Sequence, residues 1–141
     1  MPLFHDQQRD ALRRMYLEAW ERRTAALPLT PLQAQVADVV ELHPEYHALL
    51  RPEALDRDWT PEQGQSNPFL HMGMHLALRE QVSTDRPPGI RAVHAALVAR
   101  FGSAHEAEHR MMEPLGSALW NAQRQGRAPD EQQYLADLRR L

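Results

Sequence analysis

An all-α fold, a helical bundle of about five to six helices with a buried central helix, is what this sequence predicts. Three observations carry that expectation. Apolar residues recur at helical spacing along most of the 141 residues. Helix start and stop signals bracket each such stretch. No segment shows the strict alternation of a half-buried strand. The length suits a single helical domain spanning 1–141, large enough to bury a core.

The first predicted helix runs from about Asp6 to Leu27, with Leu12, Met15, Tyr16, Ala19 and Trp20 on one stripe and Pro28 beyond its end. Thr30-Pro31-Leu32-Gln33 reads as an N-cap, a first-turn proline and a capping-box glutamine. The second helix should reach about Leu50, bent or briefly interrupted near Pro44. A breaker-rich connection, "RPEALDRDWTPEQGQS", follows, and its Trp59 is expected to pack inward. Asn67-Pro68 opens a third helix to about Thr84, apolar nearly all round for three turns. "DRPPG" separates it from a fourth, Ile90 to Phe101, capped by Gly102. Ser103 and Glu106 predict a second capping box for a fifth helix kinked at Pro114. The sixth spans about Asp130 to Arg140, with Tyr134, Leu135 and Leu138 inward.

Bulk composition removes several function classes. A net charge of −3 and a pI near 6.2 give no electrostatic case for nucleic acid or an anionic membrane. The absence of cysteine excludes disulfides, thiolate metal sites and cysteine catalysis. No stretch approaches the roughly 20 apolar residues of a membrane span, and no leader pattern is visible, so a cytoplasmic location is expected. The unusual number is histidine, at 8 residues.

Six of these fall into three pairs at i, i+4: His43/His47, His71/His75 and His105/His109. Random placement of eight would give roughly 0.4 such pairs. Residues four apart share a helix face, so two imidazoles can hold one ion. At about 100° of rotation per residue, His43 and His47 lie within the arc of Leu32, Val36, Val39, Val40 and Leu50. His71 and His75 sit on the all-apolar helix. His105 and His109 run along the edge of an arc of Met111, Met112, Leu115, Gly116 and Leu119. All three pairs are expected to point inward, where every imidazole nitrogen needs a partner. One metal ion supplies several partners at once.

"HEAEH" at 105–109 also fits the H-E-x-x-H of zinc peptidases. There the first glutamate is the general base and must face the metal-bound water. Glu106 instead falls on the polar face with Arg110, Glu113, Ser117 and Arg124, while Glu108 falls within the apolar arc. The metal ligands read from the sequence are therefore His43, His47, His71, His75, His105 and His109, with Glu108 as a carboxylate ligand or an acceptor orienting an imidazole. His94 and Glu113 are further candidates. His5 is expected to be exposed, and Trp59, Phe69 and Trp120 to be core. Six imidazoles exceed the three or four ligands usual for zinc, so one or two transition-metal ions fit, iron or zinc foremost. The donor set is similar to that of haemerythrin-type bundles, although the order of the spacings departs from that family and no oxygen carriage is implied.

Whole phrases, "DALRRMYLEAW", "HPEYHALL", "NPFLHMGMHLALREQ", "DRPPGIRAVH" and "AEHRMMEPLGSALWNAQ", resemble an uncharacterised bacterial family catalogued only as a domain of unknown function. That resemblance spans nearly the whole chain and implies no activity or ligand residues. Three readings follow. The favoured one is a transition-metal-binding bundle, which includes a metal-dependent hydrolase or a non-haem iron protein. The alternative is a metal-free interaction or scaffold protein with hydrogen-bonded core histidines. The third is the zinc peptidase. No catalytic residue, substrate or oligomeric state is assigned.

Overall fold

The computed structural model describes residues 3–57, 59 and 67–141, with side chains from residue 8 onward. Among the described residues it contains six α-helices: α1 (Leu3–Thr24), α2 (Pro31–Glu41), α3 (Pro68–Thr84), α4 (Ile90–Phe101), α5 (Ala104–Gln125) and α6 (Glu131–Arg139). Two 3₁₀ segments, Pro44–Leu49 and Pro52–Ala54, follow α2. Among the described residues there is no strand, and the all-α expectation holds. The exposure expected of the His5 side chain and the stretch 60–66 of the connection lie outside the described residues. The chain divides into two compact units, residues 1–76 and 77–141, with α3 running through the division.

In the first unit, α1 stops at Thr24, three residues earlier than the proline suggested. Ala26 takes a left-handed φ of 57°, and the Leu27 and Ala26 N–H groups donate back to the Arg22 and Arg23 carbonyls. This satisfies carbonyls that the helix end would leave open. The α2 start is the predicted reciprocal box: Gln33 N–H donates to Thr30 Oγ1 (3.1 Å) and Thr30 N–H to Gln33 Oε1 (2.9 Å). The core gathers Tyr16 and Ala19 of α1, Val36, Val39 and Val40 of α2, and Phe69 and Met72 of α3. Trp59 packs against this cluster as expected, edge-on to Phe69.

The α1 stripe is rotated relative to the sequence reading. Leu12 is half exposed, and Arg13 is buried in its place. Its Nη1 donates to the carbonyl oxygens of Leu55 (2.6 Å) and Arg57 (2.8 Å), and its guanidinium carbon lies 5.2 Å from the Trp59 ring and 5.0 Å from Phe69. Those carbonyls belong to a non-helical loop and need donors. A long cationic side chain that also stacks on aromatic faces supplies them.

Burial pushes the Tyr16 phenol up to about 12. A tyrosine in the unfolded chain ionises near 10. The stability of the neutral buried ring is therefore complete below pH 10 and is lost as pH climbs toward 12. A displacement of that size corresponds to roughly 2–3 kcal/mol. Tyr16→Phe is expected to flatten the alkaline limb of the unfolding midpoint between pH 10 and 12. A limb as steep as the parent's would show that another group governs it.

In the second unit, α4 ends at Gly102, whose φ of 91° is a left-handed cap that side chains rarely adopt. Ile90 and Leu97 of α4, Met111 and Leu115 of α5, and Tyr134, Leu135 and Leu138 of α6 are buried, as is Leu78 of α3. Tyr134 Oη donates to Gln81 Oε1 at 2.8 Å, which pins the end of α3 to α6. On α5 the buried positions are Ala107, Glu108, Met111, Pro114, Leu115 and Ala122. Leu119 and Trp120 are exposed, contrary to the core placement expected of Trp120. The inward face of α5 therefore runs through Ala107, Met111, Leu115 and Ala122 and leaves its largest apolar side chain, Trp120, outside.

Candidate metal centre

α2 ends at Glu41, and Pro44 prevents its continuation because it lacks an N–H. His43 sits in the break with φ −126° and ψ 67°, and its side chain folds back over the last turn of α2. There its Nδ1 lies 2.7 Å from the Val39 carbonyl oxygen. A carbonyl can only accept, so Nδ1 carries the proton. Metal-bound histidines are oriented in this way, one nitrogen donating to a carbonyl and the other facing the ion.

His71 and His75 lie one turn apart on α3. Their ring centroids are 4.9 Å from each other, and the His43 ring is 5.1 Å from His71 and 4.8 Å from His75. Three imidazoles from two elements thus pack ring to ring inside the first unit. Burial is graded across them: His43 (1%) and His75 (0%) are enclosed, and His71 is half-buried. The Tyr46 ring stacks on His43 at 5.3 Å and 6° and meets His71 edge-on at 6.1 Å. The sequence reading passed over Tyr46, although it stands three residues from His43 within "HPEYH".

His47 occupies a different environment from His43. Its Nε2 donates to the Val40 carbonyl oxygen at 2.8 Å, and its ring leans on Trp20 at 4.4 Å and 33°. The i, i+4 argument assumed an α-helix. A 3₁₀ segment turns about 120° per residue, so positions four apart no longer share a face.

In the second unit His105 and His109 stand one turn apart on α5, both half-buried, with ring centroids 4.2 Å apart. Glu108 is buried (4%), and its carboxylate receives Arg79 Nε at 3.2 and 3.4 Å. Arg79 is 29 residues away in sequence, and only the need of a buried carboxylate for a cation could have pointed to it. Glu106 faces outward and pairs with Arg110 at 3.3 Å. Ser103 Oγ accepts from the Glu106 N–H, so the cap is present, while the Glu106 side chain goes to Arg110. A peptidase base pointing to solvent, with no strand among the described residues to align a substrate, leaves "HEAEH" without its protease geometry. Glu113 is exposed, and His94 is half-buried on α4.

No helix among the described residues is long and apolar enough to cross a membrane. A family model described as Domain of unknown function (DUF1841) matches residues 8–140. No curated protein and no solved structure matches the chain.

Proposed function

The chain belongs to this family of unknown function, DUF1841, which brings no activity with it, and we propose that it is a transition-metal-binding protein. The observation that carries the reading is the packing of His43, His71 and His75 ring against ring, with the proton of His43 fixed on Nδ1 by a main-chain carbonyl. Neutral imidazoles gain little from crowding in a core, whereas an ion turns the crowding into bonds. The ligands proposed are His43, His71 and His75 of the first unit, and His105 and His109 form a separate pair in the second. Three imidazoles are enough protein ligands for a transition-metal ion.

His47 is committed to the Val40 carbonyl and Trp20, and Glu108 to Arg79. An all-nitrogen set without thiolate suits iron, zinc, nickel or copper. Hydrolysis or non-haem iron chemistry requires a vacant position on that ion, and a closed four-nitrogen shell makes it structural.

Elemental analysis of protein purified without a His-tag is expected to find about one equivalent of a transition metal, as a folded site binds stoichiometrically. The double variant His71→Ala/His75→Ala is expected to fall below about 0.2 equivalents on the same reasoning. A parent that is itself metal-poor, and stays so after incubation with Zn²⁺, Fe²⁺ or Co²⁺, would favour the metal-free scaffold.

A further inference from the structure

We propose that His47 is a positioning residue of the metal centre: it holds the chain after α2 in the shape that aims the His43 ring, so metal affinity depends on it although it is not a ligand. The proposal rests on the metal-binding reading and lies wholly within the first unit.

The chain leaves α2 at Glu41, and the carbonyls of its last turn need donors that the helix cannot supply. Two successive carbonyls are each met by an imidazole. The Val39 oxygen accepts from His43 Nδ1 at 2.7 Å, and the Val40 oxygen accepts from His47 Nε2 at 2.8 Å. The Val40 oxygen also accepts from the main-chain N–H of His43, at 3.0 Å. His47 and the His43 backbone therefore share one acceptor. That acceptor is the carbonyl next in the chain to the one that sets the His43 ring.

The segment between the two histidines is closed by the same contacts. The Tyr46 N–H donates to the His43 carbonyl at 2.9 Å, and the Tyr46 ring lies parallel to His43 at 5.3 Å. Trp20 of α1 backs the His47 ring at 4.4 Å and itself packs on the core. His47 thus ties the turn that carries His43 to two helices at once. Releasing that tie gives the His43 ring rotational freedom, which the ion must then remove on binding. Partners that orient a ligand in this way typically matter by about 10–100-fold in metal affinity.

The test compares the full chain with its His47→Leu and His47→Gln variants, titrated with Co²⁺ and read by visible absorption. Leucine keeps an apolar side chain against Trp20, so chiefly the hydrogen bond is lost. His47→Leu is expected to reach the parent's stoichiometry at saturation, with its dissociation constant raised about tenfold or more. His47→Gln, whose side-chain amide also donates, is expected to recover most of the affinity. In metal-free protein, imidazole ¹⁵N signals are expected to show His43 protonated on Nδ1 in the parent and the Gln variant. In the Leu variant they are expected to show the proton shared between the two nitrogens. Parent affinity in His47→Leu would overturn the proposal, as would a Gln variant as weak as the Leu variant. A His47→Leu protein that never reaches the parent's stoichiometry would overturn it too, because His47 would then be a ligand. A parent that takes up no cobalt removes the metal reading, and the ¹⁵N signals alone then decide whether His47 positions His43.

Discussion

On the proposed metal-binding reading, a chelator is expected to lower the thermal midpoint by on the order of 10 °C, and one returned equivalent of metal is expected to restore it. The estimate follows from linkage. A ligand that binds only the folded chain at a thousand times its dissociation constant stabilises by about 4 kcal/mol. For a chain of this size each kcal/mol moves the midpoint by roughly 2–4 °C or somewhat more. The second half of the prediction concerns His75→Ala. His75 is wholly enclosed, so its removal also leaves a cavity, and the variant is less stable even without metal. The informative quantity is therefore the increment between metal-free and metal-loaded protein, measured for parent and variant alike. That increment should nearly vanish in His75→Ala. An undiminished increment would mean that the ion stabilises the chain from somewhere else.

Arg13→Ala is the second large effect expected, at about 3 kcal/mol or more. Two hydrogen bonds from a charged donor are lost, each worth roughly 1.5–3 kcal/mol. The Leu55 and Arg57 carbonyls lose that donor, and the contacts to Trp59 and Phe69 disappear with the guanidinium. Against a total stability of about 5–15 kcal/mol such a loss is a substantial part of the whole. Arg13→Lys should recover little, because a point-like ammonium cannot bridge two carbonyls while lying flat on aromatic rings. Urea midpoints for the three proteins decide the matter. A lysine variant as stable as the parent would reduce the role of Arg13 to simple charge.

Much of this architecture is written in local signals. The Thr30 capping box, the Gly102 cap and both ends of α4 depend on residues a few positions apart, and the structure places them where the sequence does. The inward turn of His43 and His75 was legible for a similar reason, since about 100° per residue fixes which side chains share a face. What the sequence left out depends on partners. Leu12 and Trp120 belong to genuine apolar stripes, yet neighbouring elements decided which edge of each stripe was covered. The burial of Arg13 requires the loop carbonyls at 55 and 57, more than forty residues away. Glu108 could be placed inside, but its cation on α3 could not. The change from α to 3₁₀ winding after Pro44 separated His43 from His47, and spacing alone carries no mark of that change.

The acceptor that orients His43 is the Val39 carbonyl, an atom of the main chain. No point substitution at position 39 deletes it, since all twenty amino acids carry the same oxygen there. Substitutions can remodel the rings around it, while the group that aims this buried imidazole comes with the helix end. The aim of His43 is thereby tied to where the helix stops and not to which side chain stands at position 39.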